Sequence, residues 1–210
     1  MLLVGLTGNI AAGKSTVAGL LVAKGATLID ADVLARRAVR VGTPGYDAIV
    51  KRWGPDILSP DGVLDRSALR RRVFDNPDEL DQLNAIVHPE VGRMREALVA
   101  EASARGDRVV ICDIPLLFEN NLSGDFDRIV LVDAPRPVRL ERLVRDRQLR
   151  ETEAMAMIAR QMPAELKRAR ADFIIDNEGT REQLVARVDE VWRALDEEAT
   201  SRDTTAATIA

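Results

Sequence analysis

Residues Gly8-Asn9-Ile10-Ala11-Ala12-Gly13-Lys14-Ser15 set two glycines, a lysine and a hydroxyl at the spacing G-x-x-x-x-G-K-[ST], with Thr16 next. Glycines at both ends let the backbone curl so that successive N–H groups point inward, a geometry suited to the β- and γ-phosphates of a nucleoside triphosphate. Lys14 adds a mobile positive charge, and the Ser15 hydroxyl suits Mg²⁺. On this reading Gly8, Ala11, Ala12, Gly13, Lys14, Ser15 and Thr16 bind an ATP-sized polyphosphate.

A second chemical group follows in Ile29-Asp30-Ala31-Asp32. In an open parallel sheet, ligands sit beyond the carboxyl ends of the strands, so a carboxylate here is placed to face the phosphates. Two readings are open. Asp30 or Asp32 caps a helix over residues 33–41, or one of them orients and deprotonates an attacking hydroxyl. Spacing offers both, because side chains two apart in an extended stretch point the same way.

The elements that must position these groups are legible around them. Leu2-Leu3-Val4-Gly5-Leu6 is a short apolar run of the kind a buried parallel strand needs. Residues 15–24 group Val17, Leu20, Leu21 and Val22 at helical spacing and end at Gly25. That order aims a helix N-terminus, with its unsatisfied donors and partial positive charge, at the phosphates. Further strands are predicted at 27–29, 108–112, 128–132 and 173–175. Helix starts are signalled by Asn76-Pro77 with Glu79 and by Thr180 with Gln183. Strands alternating with helices predict an α/β fold, a parallel sheet of the phosphate-loop NTPase type with helices on both faces. Residues 1–197 read as one domain. Within it, 35–104 is strand-poor and reads as a helical acceptor-binding insertion, while arginine-rich 137–170 reads as a lid. Residues 198–210 have the composition of a frayed, disordered tail.

Composition narrows the function classes. The 210 residues suit one α/β domain, and a net charge of −4 with 3% aromatics gives neither the field nor the stacking platforms for nucleic acid. No apolar run is long enough for a membrane span, and the chain enters a strand without a basic leader, so a cytoplasmic protein is expected. A monomer is the favoured state. Cys112, the single cysteine, reads as a small buried hydrophobe. A guanine-specific switch would show Asn-Lys-x-Asp after a strand, and no Asn-Lys pair occurs. A mechanical ATPase usually needs more chain, so a small-molecule kinase leads.

Taken in order, Gly8 to Thr16, Ile29-Asp30-Ala31-Asp32 with Arg36, His88-Pro89, Asp113-Ile114-Pro115-Leu116-Leu117-Phe118-Glu119 and Ile175-Asp176-Asn177 resemble the signature of dephospho-coenzyme A kinases over nearly the whole chain. The resemblance implies transfer of the ATP γ-phosphoryl group to the ribose 3′-hydroxyl of dephospho-CoA, with Mg²⁺ as cofactor. It implies Asp32 as base and Arg142 nearest the transferring group, with Lys14 completing the catalytic set. It assigns Arg147 as a lid contact to ATP and Asn177 to the adenine. Arg36, His88, Leu116, Phe118 and Glu119 fall to the acceptor. Core packing competes for Leu116, Leu117 and Phe118. Asp113 reads either as an acid reaching Mg²⁺ through water or as a plain strand terminator. The family often has arginine where Met157 stands, and Arg160 is a candidate to compensate. A ribose hydroxyl enters protonated, whereas a nucleotide phosphate is already ionised, so Asp32 favours an alcohol acceptor. The alternatives are a nucleoside or nucleotide kinase and a non-catalytic ATP-binding regulatory module.

Overall fold

The computed structural model describes residues 1–73 and 76–209, with side chains through 202. The chain forms two compact units, one of Met1–Ile29 with Ala102–Ala210 and one of Asp30–Glu101.

In the first unit, β1 (Leu2–Gly8) is the central strand of a sheet whose order is β2-β3-β1-β4-β5, with β2 at Thr27–Asp30, β3 at Val109–Asp113, β4 at Arg128–Asp133 and β5 at Phe173–Asp176. β1 runs parallel to β3 and β4, and β4 runs parallel to β5. All five strands fall on the predicted runs. The register sets Leu6 beside Asp113, Gly8 beside Val132 and Asp133 beside Asp176, so the strand-end acids collect at the edge that β1 leaves through its glycine loop.

One sheet face is covered by α1 (Lys14–Ala23) and by the last helix, Arg181–Ile209. Val17, Ala18 and Leu21 of α1 and Leu184, Val188, Val191 and Leu195 of the last helix bury against Leu2, Val4, Leu6, Ile111, Val130 and Ile175. Burying each large aliphatic side chain stabilises the unit by about 1.5–3 kcal/mol, enough to hold the loop between β1 and α1 on a rigid frame. α1 ends in a Schellman motif: Ala26 N–H donates to Leu21 O and Gly25 N–H to Val22 O, with Gly25 at φ +109°. On the other face, a Cβ at Gly5 would lie 2.6 Å from Leu117 Cδ1, so that glycine admits the segment after β3.

The second unit begins with α2 (Ala31–Ala38), α3 (Pro44–Trp53) and α4 (Arg66–Val73), and contains most of α5 (Pro77–Arg105). Its core is Ala38, Ile49, Trp53, Ile57, Leu64, Leu69 and Val73, joined by Leu83, Ile86, Val87, Val91 and Met94 of α5. The unit is helical, with residues 74 and 75 outside the described part. α5 continues through His88-Pro89. A proline inside a helix forfeits one backbone bond, and the apolar residues flanking it on both sides, packed into this core, offset that loss.

After β4 come α6 (Arg136–Arg147), α7 (Glu151–Ala159) and α8 (Ala164–Arg168), the segment read as a lid, and then α9 (Arg181–Ile209). The predicted cap of α9 is present: Thr180 N–H donates to Gln183 Oε1, and Gln183 N–H donates to Thr180 Oγ1. The tail boundary near 198 is corrected. α9 runs on through that point, Ala199 is buried, and Arg202 pairs with Asp127 at 2.6 Å and Glu198 at 3.0 Å. Composition sees a polar stretch and cannot see these partners. Residue 210 and the side chains from 203 lie outside the described part.

Candidate active site

The loop between β1 and α1 keeps its donors free. Ala12 N–H closes back on Asn9 O, and the N–H groups of Thr16 and Val17 both reach Gly13 O. The N–H groups of Ala11, Gly13, Lys14 and Ser15 have no partner among the described residues. Two left-handed positions shape this cradle, Ala11 at φ +60° and Gly13 at φ +92°. Gly13 is required twice over: an L side chain rarely adopts that φ, and a Cβ would collide with Asn177 Nδ2. Gly8 is needed because a Cβ there would stand 2.6 Å from Val132 O.

Side chains from distant segments grip the outside of the loop. Arg142 of α6 donates from Nη1 to Ala11 O (3.1 Å) and from Nη2 to Asn177 O (2.8 Å). Asn177, just past β5, donates from Nδ2 to Ala12 O at 2.8 Å. Gln161 Oε1 accepts the Ile10 N–H at 2.7 Å. Ile10 and Ala11 pack on Leu143, Ala154 and Ile158 of α6 and α7. Expected ATP-site residues Arg142 and Asn177 therefore meet at the loop, whereas Arg147 is exposed at the end of α6.

Lys14 Nζ is ion-paired with Asp113 Oδ1, which brings the acid at the end of β3 to the phosphate loop. Ser15, second in α1, is exposed. A hydroxyl and a carboxylate are hard oxygen donors of the kind Mg²⁺ takes alongside substrate phosphates. The described residues hold no cluster of three or more metal-binding side chains, and a phosphate-bound Mg²⁺ does not need one.

In the helical unit, Asp30 and Asp32 separate cleanly. Asp30 is the α2 cap, its Oδ1 accepting the N–H groups of Asp32 (2.8 Å) and Val33 (3.0 Å). Asp32 is exposed and its carboxylate makes no bond to the described residues. Arg36, one turn on along the same face of α2, is also exposed, as is His88 on α5. The same unit contains an open cavity of about 320 Å³ lined by Trp53, Asp56, Ile57, Ala68, Arg71 and Arg72.

Three residues read toward the acceptor differ in their surroundings. Phe118 is 2% exposed and belongs to the interior, while Leu116, at 43%, is the one that offers apolar surface. Glu119 turns onto Lys167 Nζ at 2.7 Å and accepts the Met162 N–H at 3.1 Å. The arginine run also divides. Arg139 is buried, donates to Ala134 O at 2.9 Å, and burial pushes its guanidinium below the ordinary range. Arg145 pairs on the surface with Glu141 of its own helix, and Arg150, just before α7, pairs with Glu153 in that helix's first turn. Met157 is half-buried on α7.

Sequence reasoning missed Gln161, Lys167 and Arg168. Arg168 Nη1 bridges Asp133 (3.0 Å) and Asp176 (2.6 Å) at the ends of β4 and β5, and these hydrogen bonds raise its pKa further. Lys167 had one signal: it is one of four lysines in an arginine-biased chain. Gln161 had none.

A central parallel strand, a glycine loop with free N–H groups, a lysine on a strand-end acid and a helix N-terminus together define a phosphate-loop (P-loop) protein of the α/β kinase class. A family model for dephospho-CoA kinase matches residues 2–183, and the chain belongs to that family. A dephospho-CoA kinase of Streptomyces avermitilis is 51% identical over 195 residues, covering 93% of this chain and 94% of that one. The crystal structure of TT1252 from Thermus thermophilus is 38% identical with a TM-score of 0.79, covering 92% of this chain and 96% of that one. Dephospho-CoA kinase from Campylobacter jejuni shares the fold at 23% identity and a TM-score of 0.71, over 93% and 98% of the two chains. No helix among the described residues is long and apolar enough to cross a membrane.

Proposed function

We propose that the protein transfers the γ-phosphoryl group of ATP to the ribose 3′-hydroxyl of dephospho-CoA, giving CoA and ADP. The observation that carries the phosphoryl half is the set of unspent N–H groups at Ala11, Gly13, Lys14 and Ser15 around a fixed loop. Family membership and the relatives' names support the acceptor.

The phosphate loop holds the β- and γ-phosphates, and Lys14 leaves Asp113 to follow charge onto the oxygens of the transferring group. Ser15 and Asp113 would hold Mg²⁺, which when bound neutralises phosphate charge. Asp32, with Asp30 committed to the cap, takes the 3′-hydroxyl proton as the new O–P bond forms and the bond to the β-phosphate oxygen breaks. Arg142 remains beside the loop as a second cation for the transition state. In the helical unit, the Trp53 wall with Arg71 and Arg72 suits an acceptor that carries both apolar and phosphate groups.

The test is ADP release with dephospho-CoA against nucleosides and nucleoside monophosphates. Turnover confined to dephospho-CoA is expected. Turnover with a nucleoside or its monophosphate alone, or with no acceptor in the set, removes this reading.

A further inference from the structure

We propose that Glu119 is a positioning residue for the ATP site, acting through Lys167 and the turn between α7 and α8, and does not contact the acceptor. The proposal rests on the reading of the phosphate loop as the ATP site.

Glu119 lies six residues beyond Asp113, in the segment that leaves β3. Its Oε1 accepts the Met162 N–H and stands 2.7 Å from Lys167 Nζ as an ion pair, while Glu119 Oε2 and Lys167 Nζ are both shielded from solvent without a hydrogen bond. Lys167 is 0% exposed. A buried ammonium needs its counter-charge, because removing one partner leaves the other desolvated and unpaired. The pair therefore fixes α8 by its last turn and, through Met162, the turn before it.

The residue preceding Met162 is Gln161, whose Oε1 receives the Ile10 N–H of the phosphate loop. Two successive residues of one turn thus fasten to two catalytic segments, the phosphate loop and the loop leaving β3. Ile10 immediately precedes Ala11, a non-glycine residue held at φ +60°. Such a backbone persists only where its surroundings fix it. Gln161 holds the N–H on one side of that residue, and Arg142 holds its carbonyl. These outward bonds keep the Ala11, Gly13, Lys14 and Ser15 N–H groups directed at phosphate. Neutralising Glu119 frees a buried ammonium, shifts the turn and loosens Ile10, so the effect lands on ATP.

The experiment measures kcat, KM for ATP, KM for dephospho-CoA and the thermal midpoint for Glu119→Gln, Lys167→Met, the double variant, Gln161→Ala and Gln161→Glu. Glu119→Gln and Gln161→Ala are each expected to raise KM for ATP about tenfold with a fall in kcat, leaving KM for dephospho-CoA within about twofold. Gln161→Glu keeps an acceptor for Ile10 and restores most of the ATP affinity. The double variant removes both buried charges and recovers toward wild type relative to Lys167→Met alone. A rise in KM for dephospho-CoA alone in Glu119→Gln would overturn the proposal in favour of direct acceptor contact. Lowered midpoints with unchanged kinetic constants would overturn it in favour of plain structural support. If Glu119→Gln does not fold, the Gln161 pair decides: Gln161→Ala must weaken ATP and Gln161→Glu must restore it. Wild-type protein inactive on dephospho-CoA would instead defeat the underlying reading.

Discussion

The phosphate loop and the helical unit present their polar groups by different means. The loop offers main-chain N–H groups, aimed by two left-handed residues and fastened from outside by Arg142, Asn177 and Gln161. The helical unit offers exposed side chains, Asp32, Arg36 and His88, on helices whose own packing is complete without them. Main-chain recognition demands a fixed spacing of small residues and so leaves a motif. Side-chain recognition demands only that a residue stand on the right face of a helix, which many sequences satisfy.

The sharpest way to break this contrast is Asp32→Asn. If Asp32 serves only the hydroxyl, kcat falls by about 10² to 10⁴ while the ATP dissociation constant stays within about twofold. Equilibrium ATP binding with single-turnover kinetics separates the two, and a lost ATP affinity would erase the division of labour. Lys14→Ala should lower kcat by about 10² to 10³ with dephospho-CoA and should weaken ATP as well. The companion measurement is ATP binding without acceptor, where unchanged affinity would put Lys14 outside the cradle.

Against those losses, Arg71→Ala and Arg72→Ala should raise KM for dephospho-CoA only about two- to tenfold each and leave KM for ATP unmoved. An effect on ATP instead would show that the helical unit does not serve the acceptor alone. The smallest effect concerns the frame. Asp127 accepts the Leu3 N–H at 2.8 Å and pairs with Arg202 of α9, so Asp127→Ala should cost about 1–2 kcal/mol in denaturant unfolding. Burial opposes ionisation of Asp127, and the Arg202 guanidinium with the Leu3 N–H outweighs it, holding the carboxyl below its ordinary 3.8. A lowered folded-state pKa stabilises above the ordinary value and is lost as pH falls through the folded one. Wild type should therefore lose stability more steeply than Asp127→Ala below about pH 4.

The same contrast explains what could be read from sequence. β1, β3 and β4 stood out because strands buried on both faces are continuous apolar runs, and the edge strands β2 and β5 as shorter apolar runs between turn and charged residues. The Asp30-Ala31-Asp32 spacing announced a cap and a free acid without saying which was which, since that depends on where α2 starts. That α5 runs on through Pro89 is not legible locally, because the cost of proline is visible in sequence and the compensating contacts of Leu83, Ile86, Val91 and Met94 are not. Glu119 was read toward the acceptor, and the partner it has in the structure lies 48 positions later at Lys167, beyond any local pattern.

The central claim is tested most directly by ³¹P NMR of the products formed from ATP and dephospho-CoA. The account predicts a new 3′-phosphomonoester resonance appearing in step with ADP, and none when the acceptor is the 3′-deoxy analogue. ADP formed without that resonance, or equal phosphorylation of the 3′-deoxy analogue, would contradict it.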